Sequence, residues 1–406
     1  MRAREVGIIV GTGTPGPHNA ITDVAGVRVG HATIVRGDGP LRVGEGPVRT
    51  GVTVVVPHDG DVWEEPLFAG FHRLNGNGEL TGTHWVQESG MLKTVIGITN
   101  SHSVGVVRDA LVAAEVAART PGHLYWSLPV VGETWDGMLN DIGGLHVKPE
   151  HVAAALRAAS DGVPPEGNVG GGTGMICHGF KGGSGTASRV LPAASGAFTV
   201  GVLVQANHGR RERLQINGVP VGLIVGDDEV PVPVAPEEEA LARAAGAHGT
   251  AFRGSTAPGS LPGGGGSIIV IVATDAPLLP NQCARLAQRA GLGVARTGGV
   301  GEHWSGDLFL AFSTANRGMP ACDYGDPSPL TIQVTMLSNT FIEALFDAVV
   351  EATEEAIVNA LLAAETMTGR DGVTAHRLDP ERLVAVLRDH GRLDASHAGR
   401  SPRRGA

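Results

Sequence analysis

Ser267 is the residue of this chain whose setting first suggests chemistry. Four glycines, Gly263 to Gly266, end at it, and a run of β-branched residues begins directly after it. The run Ile268-Ile269-Val270-Ile271-Val272, stopped by Asp275 and Pro277, reads as a short strand buried on both faces. The glycines read as loop. Gly266 has no Cβ, so the Gly266–Ser267 peptide can be bent for attack. Attack of Ser267 Oγ on the Gly266 carbonyl, an N-to-O acyl shift and hydrolysis would free Ser267 as a new N-terminus. Its α-amine, with a pKa of roughly 7.7–8.0, could then serve as base for its own hydroxyl. Taken alone, the same stretch also reads as a flexible loop leading into a core strand.

Other residues could complete such a site. Asn207 ends the apolar segment Ala197–Asn207, and an amide at a strand end can donate to an oxyanion; it can equally form a turn. Ser305 and Asp307 stand immediately before the apolar run Leu308–Asn316, as Ser267 stands before its own. Glu133-Thr134-Trp135-Asp136 opens a dense polar cluster that ends at Asp141, either the mouth of a site or an Asx-rich turn. Glu133 and Trp135 are its candidate substrate-binding residues. The glycine-dense segment Gly162–Arg189 lacks the phosphate-loop pattern and the dinucleotide fingerprint. It reads as close backbone packing or as amides lining a cleft. His178, beside Cys177, has no partner at metal spacing and reads as structural. No metal and no cofactor are expected.

These residues need a rigid frame, and 406 residues with 42% hydrophobic content can supply one large layered α/β domain or two smaller ones. Further strands are expected at Gly51–Pro57, Glu79–Gln87, Thr94–Asn100, Val219–Val225 and Thr331–Leu337. Helical spacing marks Ser101–Arg119, Pro149–Ser160, Leu278–Ala290 with Gly291 at its end, Asn339–Thr366, and Arg377–His390 with Asp379 as N-cap. The composition shifts over Gly226–Gly266 to a Pro-, Glu- and Gly-rich stretch, read as an exposed linker where a cut is tolerated. Net charge is −10, which argues against nucleic acid as a partner. Three widely spaced cysteines fit a reducing compartment. The apolar segment near the N-terminus is short for a signal peptide, and no apolar run is long enough to span a bilayer. A soluble, cytoplasmic protein is expected.

Taken together, the motifs resemble the DmpA-type aminopeptidases and β-peptidyl aminopeptidases, the S58 peptidase family. The segments that carry the resemblance are Asp23–His31 (DVAGVRVGH), Glu133–Asp141 (ETWDGMLND), Asn168–Arg189 (NVGGGTGMICHGFKGGSGTASR), Ser267–Pro280 (SIIVIVATDAPLLP) and Ser305–Asn316 (SGDLFLAFSTAN). They stand in the family's order over most of the chain. The resemblance implies a four-layer α/β/β/α sandwich similar to N-terminal-nucleophile hydrolases, with different strand connectivity. It implies a precursor that cuts itself into an α chain, 1–266, and a β chain, 267–406, forming one composite domain. The linker would cover about 227–266, with a disordered tail over 394–406. It implies metal-free release of N-terminal residues from small peptides, aminoacyl amides or esters, D- or β-amino acids among them, by homo-oligomers of αβ units.

By position, Ser267 matches the nucleophile, Asn207 the oxyanion amide, and Ser305 with Asp307 the pair that hydrogen-bonds to the nucleophile. Family members often bring a tyrosine hydroxyl to the oxyanion from the Glu133–Asp141 stretch; this chain has Trp135 and Met138 there and no tyrosine. The expected function is a self-processing serine aminopeptidase. The alternatives are an acyltransferase on a related self-cleaving fold and a non-catalytic binding protein of the same fold.

Overall fold

The computed structural model describes residues 1–122, 124–237, 266–320 and 329–394. The strands that matter for the site are β1 (Arg28–Arg36), β2 (Val48–Val56), β3 (Leu67–Gly76), β4 (Met91–Leu92), β5 (Ile96–Asn100), β6 (Val130–Thr134), β7 (Ile176–Cys177), β8 (Phe180–Lys181), β9 (Gly183–Val190), β10 (Thr199–Asn207), β11 (Ser267–Thr274) and β12 (Gly306–Ser313). They form a four-stranded sheet in the order β1-β2-β5-β6 and a six-stranded sheet in the order β4-β3-β12-β11-β10-β9. β7 and β8 make a small hairpin of their own.

The apolar pattern of each strand follows from the layer it occupies. Every residue of β11 is buried, and its side chains alternate between two cores. Ile268, Val270 and Val272 pack with residues of the helices Pro280–Arg296 and Glu343–Ala363. Ile269, Ile271 and Ala273 face the other way and meet Val55, Ile96 and Ile98 of the four-stranded sheet. A strand with an apolar layer on each side has no reason to alternate with polar residues, hence the continuous run in the sequence. Each of its Ile and Val side chains is worth roughly 1.5–3 kcal/mol on burial. On the outer face of the second sheet, Val52, Val54 and Val131 pack against the helices Val104–Ala118 and Pro149–Ala158. The layers are therefore helix, sheet, sheet, helix.

Two crossovers set the directions that build the site. β5 pairs parallel with β6, and β11 pairs parallel with β12. A parallel pair needs a crossover, and each is supplied by one intervening helix: Val104–Ala118 for the first pair and Pro280–Arg296 for the second. β10 runs antiparallel to β11, so the end of one meets the start of the other at Asn207 and Ser267.

Several expectations are corrected. Residues 79–87 are not a strand; Thr83–Ser89 is a helix between Gly82 and Gly90, both at positive φ, and the Gly90 N–H closes it on Val86. Val221–Ile224 within the expected strand Val219–Val225 is a short helix after Pro220. The helix from Pro280 runs past Gly291 to Arg296. Gly291, the expected stop, is buried inside the helix, where a Cβ would lie 3.3 Å from the Phe309 ring, and Gly293 lies so close to the helix Glu343–Ala363 that a Cβ there would sit 2.7 Å from Val350 O. Thr331–Leu337 has strand-like alternation but pairs with no strand among the described residues; Asn316 Oδ1 accepts from Thr335 N, and Pro277 O from Leu337 N.

The first part of the expected linker is pinned down. Val230 O accepts from Arg211 Nη1 at 2.7 Å, and Glu237 pairs with Arg370 at 2.8 Å. Residues 238–265 of the linker and 395–406 of the tail lie outside the described residues. Among the described residues, no helix is long and apolar enough to cross a membrane.

Candidate active site

The start of β11 places Ser267 where three strands end together. Asn207 of β10 is its register partner on one side, and Ile268 pairs with Asp307 of β12 on the other. Ser267 is buried. Its Oγ accepts a hydrogen bond from the Gly306 backbone N–H at 3.0 Å. Gly306 can come this near because its other side is bare: a Cβ there would lie 2.5 Å from Asn77 O and 2.6 Å from Gly78 Cα.

Gly266 packs tightly against Asn207. A Cβ on Gly266 would fall 1.7 Å from Asn207 O and 3.3 Å from Asn207 Nδ2, so no larger residue fits between Asn207 and the bond before Ser267. The Asn207 amide is itself held at both ends. Its Oδ1 accepts from Ile176 N at 2.7 Å, and its Nδ2 donates to Trp135 O at 3.0 Å. A primary amide carries two N–H donors; with one on Trp135 O, the other is available to an oxyanion at the neighbouring carbonyl.

Ser305 and Asp307 are both buried, and they bond to each other: Ser305 Oγ donates to Asp307 Oδ1 at 2.5 Å. The sequence reading had this pair bonding to Ser267. In the folded chain the hydrogen bond to the Ser267 hydroxyl comes from Gly306, the residue between them. The Asp307 carboxylate also takes the backbone N–H of Ile268, one residue from Ser267. Burial is the main force on Asp307 and pushes its pKa up to about 6; Glu302 adds to the rise, while the Ser305 hydroxyl and the Ile268 N–H oppose it. Glu302 is tied to Arg213 at 2.8 Å. The turn before β12 is clamped by Asn75, whose Nδ2 donates to Glu302 O and Ser305 O. A register shift in the β3–β12 pairing at Asp307/Leu308 marks a bulge at this corner, a common device for re-aiming residues beside a site.

Glu133, near the end of β6, faces the same corner. Gly78 stands between the two groups: a Cβ there would be 3.1 Å from Glu133 Oε1 and 3.0 Å from Gly306 Cα. Glu133 accepts from Ser101 Oγ and from the Glu79 N–H at 3.0 Å. Burial raises its pKa, with those two hydrogen bonds opposing. Glu133 is thus a buried carboxylate with a hydrogen bond on each oxygen, and a carboxylate is the natural counter-charge for an ammonium group. Trp135 is half-exposed, and its part in the frame is its carbonyl, on Asn207; its ring lies over Gly137.

The glycine-dense segment packs backbone on backbone between the sheets. A Cβ at Gly171 would lie 2.1 Å from Gln205 Oε1, and one at Gly172 would lie 2.4 Å from Ser184 N. Gln205 bridges the two sheets there, donating to Thr99 O and Thr134 Oγ1.

The sequence reading missed Gly306, Gly78, Asn75, Ser101 and Ile176. Three of these act through the backbone or through the lack of a side chain, and so carry no chemical signature. Asn75 and Ser101 could have been found only by knowing which loops meet.

Comparison with known proteins identifies the family and the fold. The family model for peptidase family S58 matches residues 19–375. A β-peptidyl aminopeptidase of Sphingosinicella microcystinivorans is 48% identical over 395 residues, 97% of this chain and 94% of that protein. Among solved structures, a Burkholderia β-aminopeptidase superposes with a TM-score of 0.84 at 50% identity, covering 99% of this chain and 100% of the other. An L-aminopeptidase D-Ala-esterase/amidase from Ochrobactrum anthropi, described as a variant of the N-terminal-nucleophile hydrolase fold, superposes at 0.83 with 42% identity over 97% and 99% of the two chains. The expected α/β/β/α sandwich is the fold of this chain.

Proposed function

This chain belongs to peptidase family S58 and is a serine aminopeptidase, and from that premise we propose that it makes its own active site by cutting the Gly266–Ser267 bond. The observation that carries the reading is the close seat of Gly266 on Asn207, with the Ser267 hydroxyl already bonded to Gly306. In the uncut chain, Ser267 Oγ attacks the Gly266 carbonyl carbon. The new C–O bond forms as the C–N bond breaks, and the negative oxygen is met by the spare Asn207 N–H. The Ser305–Asp307 pair takes up the hydroxyl proton, which passes to the leaving nitrogen. Water then hydrolyses the ester, leaving a carboxylate on Gly266 and a free amine on Ser267.

In the mature enzyme the same groups act on substrate. The Ser267 amine, supported by the Asp307 carboxylate, accepts the proton of its own hydroxyl. Asn207 stabilises the tetrahedral oxyanion, an effect worth roughly 2.7–4 kcal/mol per donor. The intermediate collapses as the substrate C–N bond breaks and the amine leaves with the proton held by the Ser267 amine, and water then hydrolyses the acyl-enzyme on Ser267 to the free acid. Glu133 holds the substrate's ammonium, which makes the enzyme act at free N-termini. Because similar chains are β-peptidyl aminopeptidases, we assign N-terminal β-amino acids as the preferred residues.

Intact mass measurement of the purified protein tests this directly. Two chains are expected, the smaller beginning at Ser267, with Ser267→Ala remaining whole and inactive. Anilides of β- and α-amino acids, each with free and acetylated amine, then read specificity; only free-amine substrates should turn over, β faster than α. An uncut, fully active wild type would refute the nucleophile, and equal turnover of acetylated substrates would refute the role of Glu133.

A further inference from the structure

Directly behind the Asn207 amide lies a cluster that the chemistry above does not use. Cys177 ends β7, His178 follows it in the hairpin turn, and His208 follows Asn207. All three are buried. The cysteine sulfur and one ring nitrogen of each histidine lie within 4.8 Å of one another, with Cys177 Sγ 3.8 Å from His208 Nδ1. His178 Nδ1 faces Arg210 O at 2.9 Å. The Nε2 atoms of both His178 and His208 are buried and find no partner, an expensive state for a polar atom.

The hairpin bears the marks of a place that requires histidine. Its two turn residues, His178 and Gly179, have φ of 49° and 70°. A two-residue turn with both φ positive favours Asn-Gly, and a larger residue at its first position is strained by about 1–2 kcal/mol. Gly209 makes room for the ring: a Cβ there would lie 2.2 Å from His178 Cε1. Arg211 fixes the turn by donating to His178 O at 3.0 Å and Gly179 O at 2.7 Å.

We propose that Cys177, His178 and His208 form a three-coordinate site for copper(I). Bonds of about 2.0–2.3 Å to sulfur and nitrogen bring three ligand atoms to spacings of roughly 3.6 Å, so from spacings within 4.8 Å the cluster needs a contraction of about 1.2 Å at most. A thiolate is a ligand for soft cations, and imidazole binds copper as well as zinc. The charge selects among them. One thiolate and two neutral imidazoles cancel a single positive charge. A divalent ion would leave a buried net positive charge beside Lys181, which acts on Cys177, and Arg211, which acts on His178.

The binding step balances: the Cu–S bond forms, the Cys177 S–H bond breaks, and one proton leaves with no change of oxidation state. The ion would tie the strand that supplies Ile176 N–H to the strand that carries Asn207.

Anaerobic competition for copper(I) against a chromophoric chelator tests the site, with zinc(II) in a parallel titration. All proteins carry Cys322→Ser, which leaves Cys177 and the buried Cys283 as thiols. One copper(I) per chain is expected, bound at least 100-fold more weakly in Cys177→Ala and in His178→Asn. The second variant suits the turn and keeps the fold if the first does not. Wild type that binds no more tightly than these variants overturns the proposal, as does a preference for zinc(II). The readout is binding alone, so it stands or falls separately from the role of Ser267.

Discussion

Gly266→Ala isolates the contact on which the proposed self-cleavage rests. The added Cβ would lie 1.7 Å from Asn207 O and 2.8 Å from its carbonyl carbon. An ordinary C···O contact needs about 3.3 Å, so the ends of β10 and β11 must part by roughly 1.5 Å. The body of each strand is locked by buried neighbours, so the shift falls on Gly266, Ser267 and Asn207. Overpacking of this kind costs about 1–3 kcal/mol, a small share of what holds a fold of this size. The reaction suffers more, because about 1 Å of misplacement costs about 10²-fold in rate. Processing of Gly266→Ala should therefore slow at least 100-fold while the protein stays folded. The assay is a time course of intact mass after the precursor is returned from denaturant, with Ser267→Ala as the uncut reference. Thermal melting of the two uncut proteins should differ by no more than a few degrees. Processing at the wild-type rate would mean that the Gly266 carbonyl is not the group held against Asn207, and the reasoning would fail.

The other predictions use the same corner. Asn207→Ala should lower kcat about 10²–10³-fold and also reduce stability by about 1–3 kcal/mol, since Ile176 N–H and Trp135 O lose their partner; near-normal kcat in single-turnover assays would make Asn207 a turn residue only. Asp307, with its pKa raised from 3.8 to about 6, must be ionised to take part, so self-cleavage should slow as pH falls through about 6, and Asp307→Asn should remove that acid limb. The sign for stability is opposite. Because folding raises this pKa, the contribution of Asp307 is full below about pH 4 and is lost as pH rises through about 6. Denaturant melts of uncut Ser267→Ala and Ser267→Ala/Asp307→Asn across that range check it, and an acid limb that survives in the single Asp307→Asn variant would exclude Asp307 from the proton path.

Some of this protein is written in its sequence. The continuous apolar run of β11 is there because both of its faces are buried, and burial on both faces leaves its mark in composition alone. The helices Val104–Ala118 and Pro380–Asp389 show through their spacing and, for the second, through the Asp379 cap that accepts from Arg382 N. Ser267 stands out because a glycine run meets a strand at one residue, and the family is legible because five motifs keep their order along the chain.

What the sequence does not contain is adjacency between distant elements. The glycine before Ser267 looked like backbone freedom; the fold makes it a matter of space, decided by the register of β10 on β11. The donor to the Ser267 hydroxyl is a main-chain N–H, which every residue but proline owns, so only the parallel pairing of β12 with β11 could single out Gly306. His178 looked solitary because His208 stands 30 residues on, just past the end of β10, where the Asn207–Ile176 contact brings the two segments together. Residues 79–87 carried a strand-like pattern but make only the single bridge Leu80–Gly132 before turning into a helix, and 331–337 pair with no strand among the described residues; a pattern reports a side chain's exposure without naming a neighbour. Local period and burial are properties of a segment, whereas hydrogen-bond partners, close glycine contacts and ligand clusters are properties of pairs of segments, and pairs exist only once the chain has folded.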